Sequence, residues 1–249
     1  MDISLLSSIF SQQSDDLSAC NYAPYKVYNP LVYAREPFER YLQQSKGASI
    51  ETIYFGMNPG PWGMAQTGVP FGEIESVTQW MGISGKIDMP EAPIEKRPIL
   101  GYAATRREVS GMRLWNLFKE LYGEAPRFFR KSTVLNYCPL LFFDESTKNI
   151  TPATLPKQIR SAVELICDNT LSKIIRLLDP KNCVAIGRYV EKRLLSILGL
   201  EKKPKEYSDT NEPSIFHIPH PSPANPQANR DWSSQCKIIL ADILPQQSL

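Results

Sequence analysis

Residues 50–73 read IETIYFGMNPGPWGMAQTGVPFGE. The run Ile50–Phe55 is β-branched and aromatic, the composition of a buried strand. It passes directly into Gly56–Gly72, a loop rich in Gly and Pro, and Glu73–Met81 then suits a helix. Three further stretches repeat this order. Ser132–Asn136 reads as a short strand stopped by Pro139. Asn182–Ile186 turns at Gly187 into a basic helix, Arg188–Leu198, and Ser214–Ile218 runs into HPSPANPQANR. Helical periods fill the intervals at Leu114–Tyr122, Leu155–Leu178 and Trp232–Leu244. Pro30–Gln44 suits a helix that Pro37 would disturb, and Ile3, Leu6, Ile9 and Phe10 fit a short amphipathic helix. Strands alternating with helices predict an α/β fold: a short, mainly parallel sheet covered on both faces, because parallel neighbours need crossovers. Gly82–Arg107 is Pro-rich, aperiodic and longer than ordinary connections, and Glu201–Pro213 reads as a polar loop.

The 249 residues are enough for one sizeable core without staples. They are expected to form a single domain, 1–249, with residues 1–25 as a peripheral N-terminal helical extension. Lysine and arginine number 28 against 26 acidic residues, a net +2. That balance permits a local nucleic-acid patch without announcing one. Cys20, Cys138, Cys167, Cys183 and Cys236 are scattered and form no C-x-x-C pair, which suits buried thiols in a reducing compartment and disfavours a structural zinc or iron–sulfur site. The N-terminus lacks a basic, apolar leader pattern, and no apolar run approaches the roughly 20 residues of a membrane span. An intracellular protein is expected, in a bacterial cytoplasm or a eukaryotic nucleus, with no membrane partner.

In open α/β sheets ligands bind beyond the carboxyl ends of the strands. The loops there carry Asn58, Asn136 and His220, while the third strand ends in Ile-Gly-Arg and offers Arg188. No G-x-x-x-x-G-K-[ST], G-x-G-x-x-G or G-x-S-x-G occurs, so a nucleotide-hydrolysing P-loop and a nucleophile-elbow hydrolase are disfavoured. From residue type alone, Asn58 equally suits a local turn cap, Phe71 a core plug or a stacking face, and Trp62 a buried anchor or a rim contact. Met57 and Met64 are most simply packing residues. His217 and His220 find no third metal ligand, so no metal is expected. The prolines around His220 stiffen its loop, which helps if the imidazole must donate to a developing anion.

Together, GMNPGPWGMAQTGVPFGE, NYCPL and HPSPANPQAN resemble the single-strand-selective monofunctional uracil-DNA glycosylases of the uracil-DNA glycosylase superfamily. YNPLVYAREP, KRPILGY, EVSGMRLW and NITPATLP support the likeness, which spans Tyr28 to Trp232. The resemblance implies a single three-layer α/β/α sandwich. It also implies excision of uracil and 5-modified uracils such as 5-hydroxymethyluracil, from single- and double-stranded DNA, by a monomer needing neither metal nor cofactor. It casts His220 as the donor to the leaving base and Asn58 as the residue positioning the attacking water. Asn136 would read the base edge, Phe71 would stack on it, and Met57, Gly60 and Met64 would shape the pocket. Ser222, Pro223, Ala224, Asn225, Pro226, Gln227 and Arg230 would form the wedge entering the duplex. Human-like members carry a basic residue where this chain has Ala224, a departure that bears on duplex activity and that Arg230 could offset. Ser222, Arg188 and Lys192 are candidate phosphate contacts. Two other readings are a same-fold glycosylase aimed mainly at xanthine or hypoxanthine, and a catalytically silent nucleic-acid binder.

Overall fold

The computed structural model describes residues 1–200 and 212–244, so most of the expected polar loop after Leu200 lies outside the described residues. Seven strands are described: β1 (Lys26–Tyr28), β2 (Thr52–Gly56), β3 (Ser132–Asn136), β4 (Leu141–Phe143), β5 (Asn149–Ile150), β6 (Asn182–Ile186) and β7 (Ser214–Ile218). Helices α1 (Ile3–Ser18), α2 (Pro30–Tyr33), α3 (Arg35–Gln43), α4 (Met64–Thr67), α5 (Val109–Tyr122), α6 (Ala125–Phe129), α7 (Lys157–Leu178), α8 (Arg188–Ile197) and α9 (Trp232–Ile239) complete the set. The main sheet has the order β3-β2-β6-β7, every pairing parallel. All five residues of β2, of β3 and of β6 are buried, as expected of parallel strands covered on both faces, with apolar centres and the polar Thr52, Ser132, Thr133, Asn136 and Asn182 toward their ends.

Both faces are covered. Tyr54 turns toward α5 and α6, its ring 4.8 Å from Phe118. Its neighbours Ile53 and Phe55 point to the opposite face by strand alternation. Trp115, Phe118, Phe128 and Phe129 form one aromatic cluster on the α5–α6 side. The long helix α7 packs against α1 and α8. The N-terminal helix, expected at the periphery, lies along α7 and sends Leu6, Phe10 and Leu17 into the same core cluster. At the sheet edge, Tyr41 donates from its hydroxyl to the Val134 carbonyl at 2.7 Å and accepts from the Val134 N–H at 3.0 Å. That one side chain satisfies backbone groups an edge strand would leave open.

The local departures have physical causes. The helix expected over 30–44 breaks at Ala34 into α2 and α3. Pro37 has no N–H for the Tyr33 carbonyl and its ring would clash there. That freed carbonyl accepts from the Asp88 N–H at 2.7 Å, which pins the long 82–107 segment. The segment is further tethered by Tyr28, which accepts from the Ile94 N–H and donates to the Arg97 carbonyl. The helix expected over 73–81 is a π-wound turn, Ser76–Trp80, in which the Glu73 carboxylate accepts from the Ser76 N–H and hydroxyl. A second sheet, β1-β4-β5, is antiparallel and absent from the expectations, its strands being only two or three residues long. Among the described residues no helix is long and apolar enough to cross a membrane.

Candidate active site

Parallel register brings the strand ends together. Gly56 at the end of β2 lies opposite Asn136 at the end of β3, and Ile186 lies opposite Ile218. Beyond this edge is a cavity of about 340 Å³ lined by Met57, Asn58, Gly60, Phe71, His220 and Ser222, all singled out by sequence. Glu108, Ser110, Asn149 and Thr151 share its wall. Sequence reading did not assign these four. They sit at the start of α5 and around β5, where the only signal was membership of the matched stretches EVSGMRLW and NITPATLP.

Asn58 donates from Nδ2 to the carbonyls of Leu140 (3.2 Å) and Pro59 (3.3 Å). Its amide hydrogens are thereby committed to backbone, and Oδ1 is the atom left to accept a hydrogen bond in the cavity. Asn136 is 7 % exposed and is not itself among the residues lining the cavity, but its Oδ1 flanks Gly56 together with the ring of Phe71, a residue that does line it. Its Nδ2 contacts Met64 Sδ at 3.1 Å, while Oδ1 is buried without a partner. A buried orphan acceptor is costly unless a ligand supplies the donor. Met64 is almost fully buried beneath Asn136 and lines no part of the cavity.

Phe71 adopts φ +52°, the left-handed region that bulky residues rarely occupy. Three contacts hold it there. Trp115 Nε1 donates to its carbonyl at 3.0 Å, and a Cβ on Gly111 would lie 2.0 Å from that carbonyl. A Cβ on Gly56 would lie 2.5 Å from both the Phe71 ring and Asn136 Oδ1. The strand end must therefore be glycine for the ring and the amide to meet. Such maintained strain clusters at functional sites.

His220 follows β7 between two prolines. The Ser222 N–H donates to Nδ1 at 3.1 Å, so the proton of the neutral ring sits on Nε2. Burial pushes its pKa down to about 4, so the ring is neutral near pH 7. His220 lines the cavity, and a neutral imidazole donating from its one N–H can support a developing anion without carrying a charge. Gly187, at φ +95°, packs with its Cα side against His220 and places Arg188 at the start of α8 close by. Arg188 is well exposed and 3.6 Å from Glu191, and Lys192 is exposed.

The loop after His220 is cross-braced. Asn225 donates to the His220 carbonyl, Asn229 to the Pro223 carbonyl and Trp232 to the Pro219 carbonyl. Arg113 of α5 donates to the Pro221 carbonyl at 2.9 Å and to Asn229 Oδ1 at 3.1 Å. Pro223, Ala224, Pro226, Gln227 and Arg230 are exposed on this braced loop, outside the cavity, while Asn225 is half-buried. Trp62 is half-buried at the rim, with the Arg106 guanidinium 5.1 Å from its ring centre.

Comparison with known proteins accords with this geometry. The family described as Uracil DNA glycosylase superfamily matches residues 47–242. The single-strand selective monofunctional uracil-DNA glycosylase of Rattus norvegicus is 41 % identical over 218 residues, covering 87 % of this chain and 75 % of the rat protein. Its Bos taurus counterpart is 41 % identical over 217 residues, covering 87 % of this chain and 77 % of its own length. The crystal structure of wild-type Pedobacter heparinus SMUG2 has the same fold, with a TM-score of 0.62 at 18 % identity over 95 % of this chain and 94 % of that one. The chain belongs to the single-strand selective monofunctional uracil-DNA glycosylases, within the uracil-DNA glycosylase superfamily.

Proposed function

We propose that this chain excises uracil, and uracils with small 5-substituents, from single- and double-stranded DNA by hydrolysing the N-glycosidic bond of a flipped nucleotide. It acts as one domain and as a monomer, and leaves an abasic site for base excision repair inside the cell. The observation that carries the residue roles is the meeting in one cavity of Asn58, Phe71 and a neutral His220, with the orphaned Asn136 acceptor next to the Phe71 ring across Gly56.

A base inside a duplex is out of reach, so it must be extruded at a cost of a few kcal/mol. In the cavity Phe71 stacks on one face of the ring. Asn136 Oδ1 accepts from the uracil N3–H, and the amide Nδ2 can turn from Met64 to the O4 oxygen. As the glycosidic bond lengthens, negative charge grows on the base, and the His220 Nε2–H donates to its O2 oxygen. Removing one such preorganised donor typically costs ~2.7–4 kcal/mol. Asn58 Oδ1 accepts a hydrogen bond from a water and holds it toward the sugar carbon. An amide is a poor base, so Asn58 contributes positioning rather than strong proton abstraction. In this reading the braced loop from Ser222 to Arg230 fills the gap left by the base, and Ser222 and Arg188 meet phosphates.

The test is base release from a single-stranded oligonucleotide carrying one uracil. Alkali-dependent cleavage by wild type, slowed at least about 100-fold in both Asn58→Ala and His220→Ala, is expected. No uracil release by wild type across a range of salt concentrations refutes the function. Near-normal release by His220→Ala moves charge stabilisation to another group.

A further inference from the structure

The N-terminal helix α1 carries an amide in its buried stripe. Ile3, Leu6, Phe10, Gln13 and Leu17 recur at spacings of three and four, so they share a face, and all five are buried. A glutamine there costs stability unless its amide is hydrogen-bonded. Gln13 Nε2 donates to the Tyr137 carbonyl at 3.1 Å, a buried bond across 124 positions of the chain. The Cys167 thiol of α7 meets the same amide, but a buried thiol behaves as a small apolar group and needs no such partner. The carbonyl is the group that calls for a donor.

Tyr137 directly follows Asn136, where β3 ends. β3 is the outermost strand of the main sheet and has a sheet partner on one side only. The Tyr137 N–H donates to the Gly56 carbonyl and the Cys138 N–H to the Met57 carbonyl, each at 2.9 Å. The Tyr137 hydroxyl donates to Asp168 Oδ1 of α7 at 2.7 Å. Its carbonyl is left for Gln13. Two side chains from the N-terminal helices thus hold the backbone on either side of Asn136: Tyr41 of α3 at Val134, and Gln13 of α1 at Tyr137. With the chain fixed before and after it, the Asn136 amide keeps one direction. That direction decides whether its buried Oδ1 meets the N3–H of a flipped uracil.

We propose that Gln13 is a positioning residue for base recognition: by holding the Tyr137 carbonyl it aims the Asn136 amide at the uracil edge. The helix expected at the periphery is on this account a support of the site. The inference rests on the base-reading role given to Asn136 above.

The experiment is a double-mutant cycle on single-turnover uracil release from a single-stranded oligonucleotide, with Gln13→Met, Asn136→Ala and the two combined. Methionine keeps the length of glutamine and removes the donor, and in a stripe that is otherwise apolar the fold is retained. Leu6→Ala, two turns earlier on the same buried face, is the control for a loosened helix, and a thermal melt accompanies each variant. Gln13→Met should slow release about five- to tenfold, the scale of one lost hydrogen bond. Once Asn136 is alanine the same change should cost less than about twofold, because no amide is left to misdirect. Free uracil should inhibit Gln13→Met more weakly than wild type. Leu6→Ala should lower Tm yet release uracil, and be inhibited by it, as wild type does well below the melting temperature. Equal slowing by Gln13→Met in both backgrounds overturns the assignment. So does slowing by Leu6→Ala that matches it, or unchanged release by Gln13→Met. Normal release by Asn136→Ala would overturn the base-reading role and the role of Gln13 with it. A wild type inactive on uracil would instead overturn the proposed function.

Discussion

Lowering the pH is the sharpest probe of His220. Burial holds its pKa down to about 4, against 6.5 for a free imidazole. If the neutral Nε2–H is the working donor, kcat/KM should follow the neutral fraction in the free enzyme. At pH 5.5 that fraction is about 97 % for a pKa of about 4 and about 9 % for an unshifted ring, a difference of roughly elevenfold. The assay is single-turnover uracil release at subsaturating enzyme, from pH 4 to 8, on a single-stranded oligonucleotide. A flat profile down to about pH 5, bending near 4, is expected. A bend near 6.5 would refute the buried, neutral ring. Activity rising on acidification from neutrality would mean that the imidazolium is the donor. The same shift acts on stability. Between pH 6.5 and about 4 the unfolded chain binds a proton at this position that the native chain does not, so stability falls as the pH drops through that window. His220→Asn, which lacks the titration, should show a shallower acid dependence of Tm.

Other perturbations test the supports of the site. Gly56→Ala places a Cβ 2.5 Å from Asn136 Oδ1 and the Phe71 ring, so KM for uracil substrates should rise with a stability loss of about 1–3 kcal/mol, read by kinetics and a thermal melt. An unchanged KM would separate Phe71 and Asn136 from base binding. Arg113→Ala frees the Pro221 carbonyl and Asn229 from their brace. Release from duplex should fall about tenfold while single-stranded release changes little, because only duplex needs a stiff wedge; an equal loss on both substrates would argue against the wedge role. Ser222→Pro removes the N–H that fixes the His220 tautomer, and kcat should fall with little change in KM, measured by single-turnover kinetics. Ala224→Arg adds a long cation to an exposed position of the same loop and should raise duplex turnover relative to single-stranded turnover; a ratio unchanged within error would place the wedge elsewhere.

The four parallel strands and the loops behind them were legible in the chain itself. Short runs centred on β-branched and apolar residues and bounded by turn formers marked Ser132–Asn136 and Asn182–Ile186, which are buried throughout, and Ser214–Ile218, the partly exposed edge strand. Loops that pass close to a ligand need glycine and proline, which marked Gly56–Gly72 and the run after His220. Parallel topology then puts every such loop on one edge, so Asn58, Asn136 and His220 could be gathered without coordinates. What only the tertiary structure decided are contacts between distant segments that leave no local period. Glu108 becomes part of the cavity because α5 starts against Gly60 and Gly63. Tyr33 loses its helical partner and finds Asp88 instead. Phe71 is held at positive φ by Trp115 and by two glycines, one of them 40 positions away at Gly111. The proton of His220 is assigned by an N–H two residues on, and its low pKa by everything packed around it. Residue type sets which chemistry a side chain can perform, whereas burial and partners set which form of it is present.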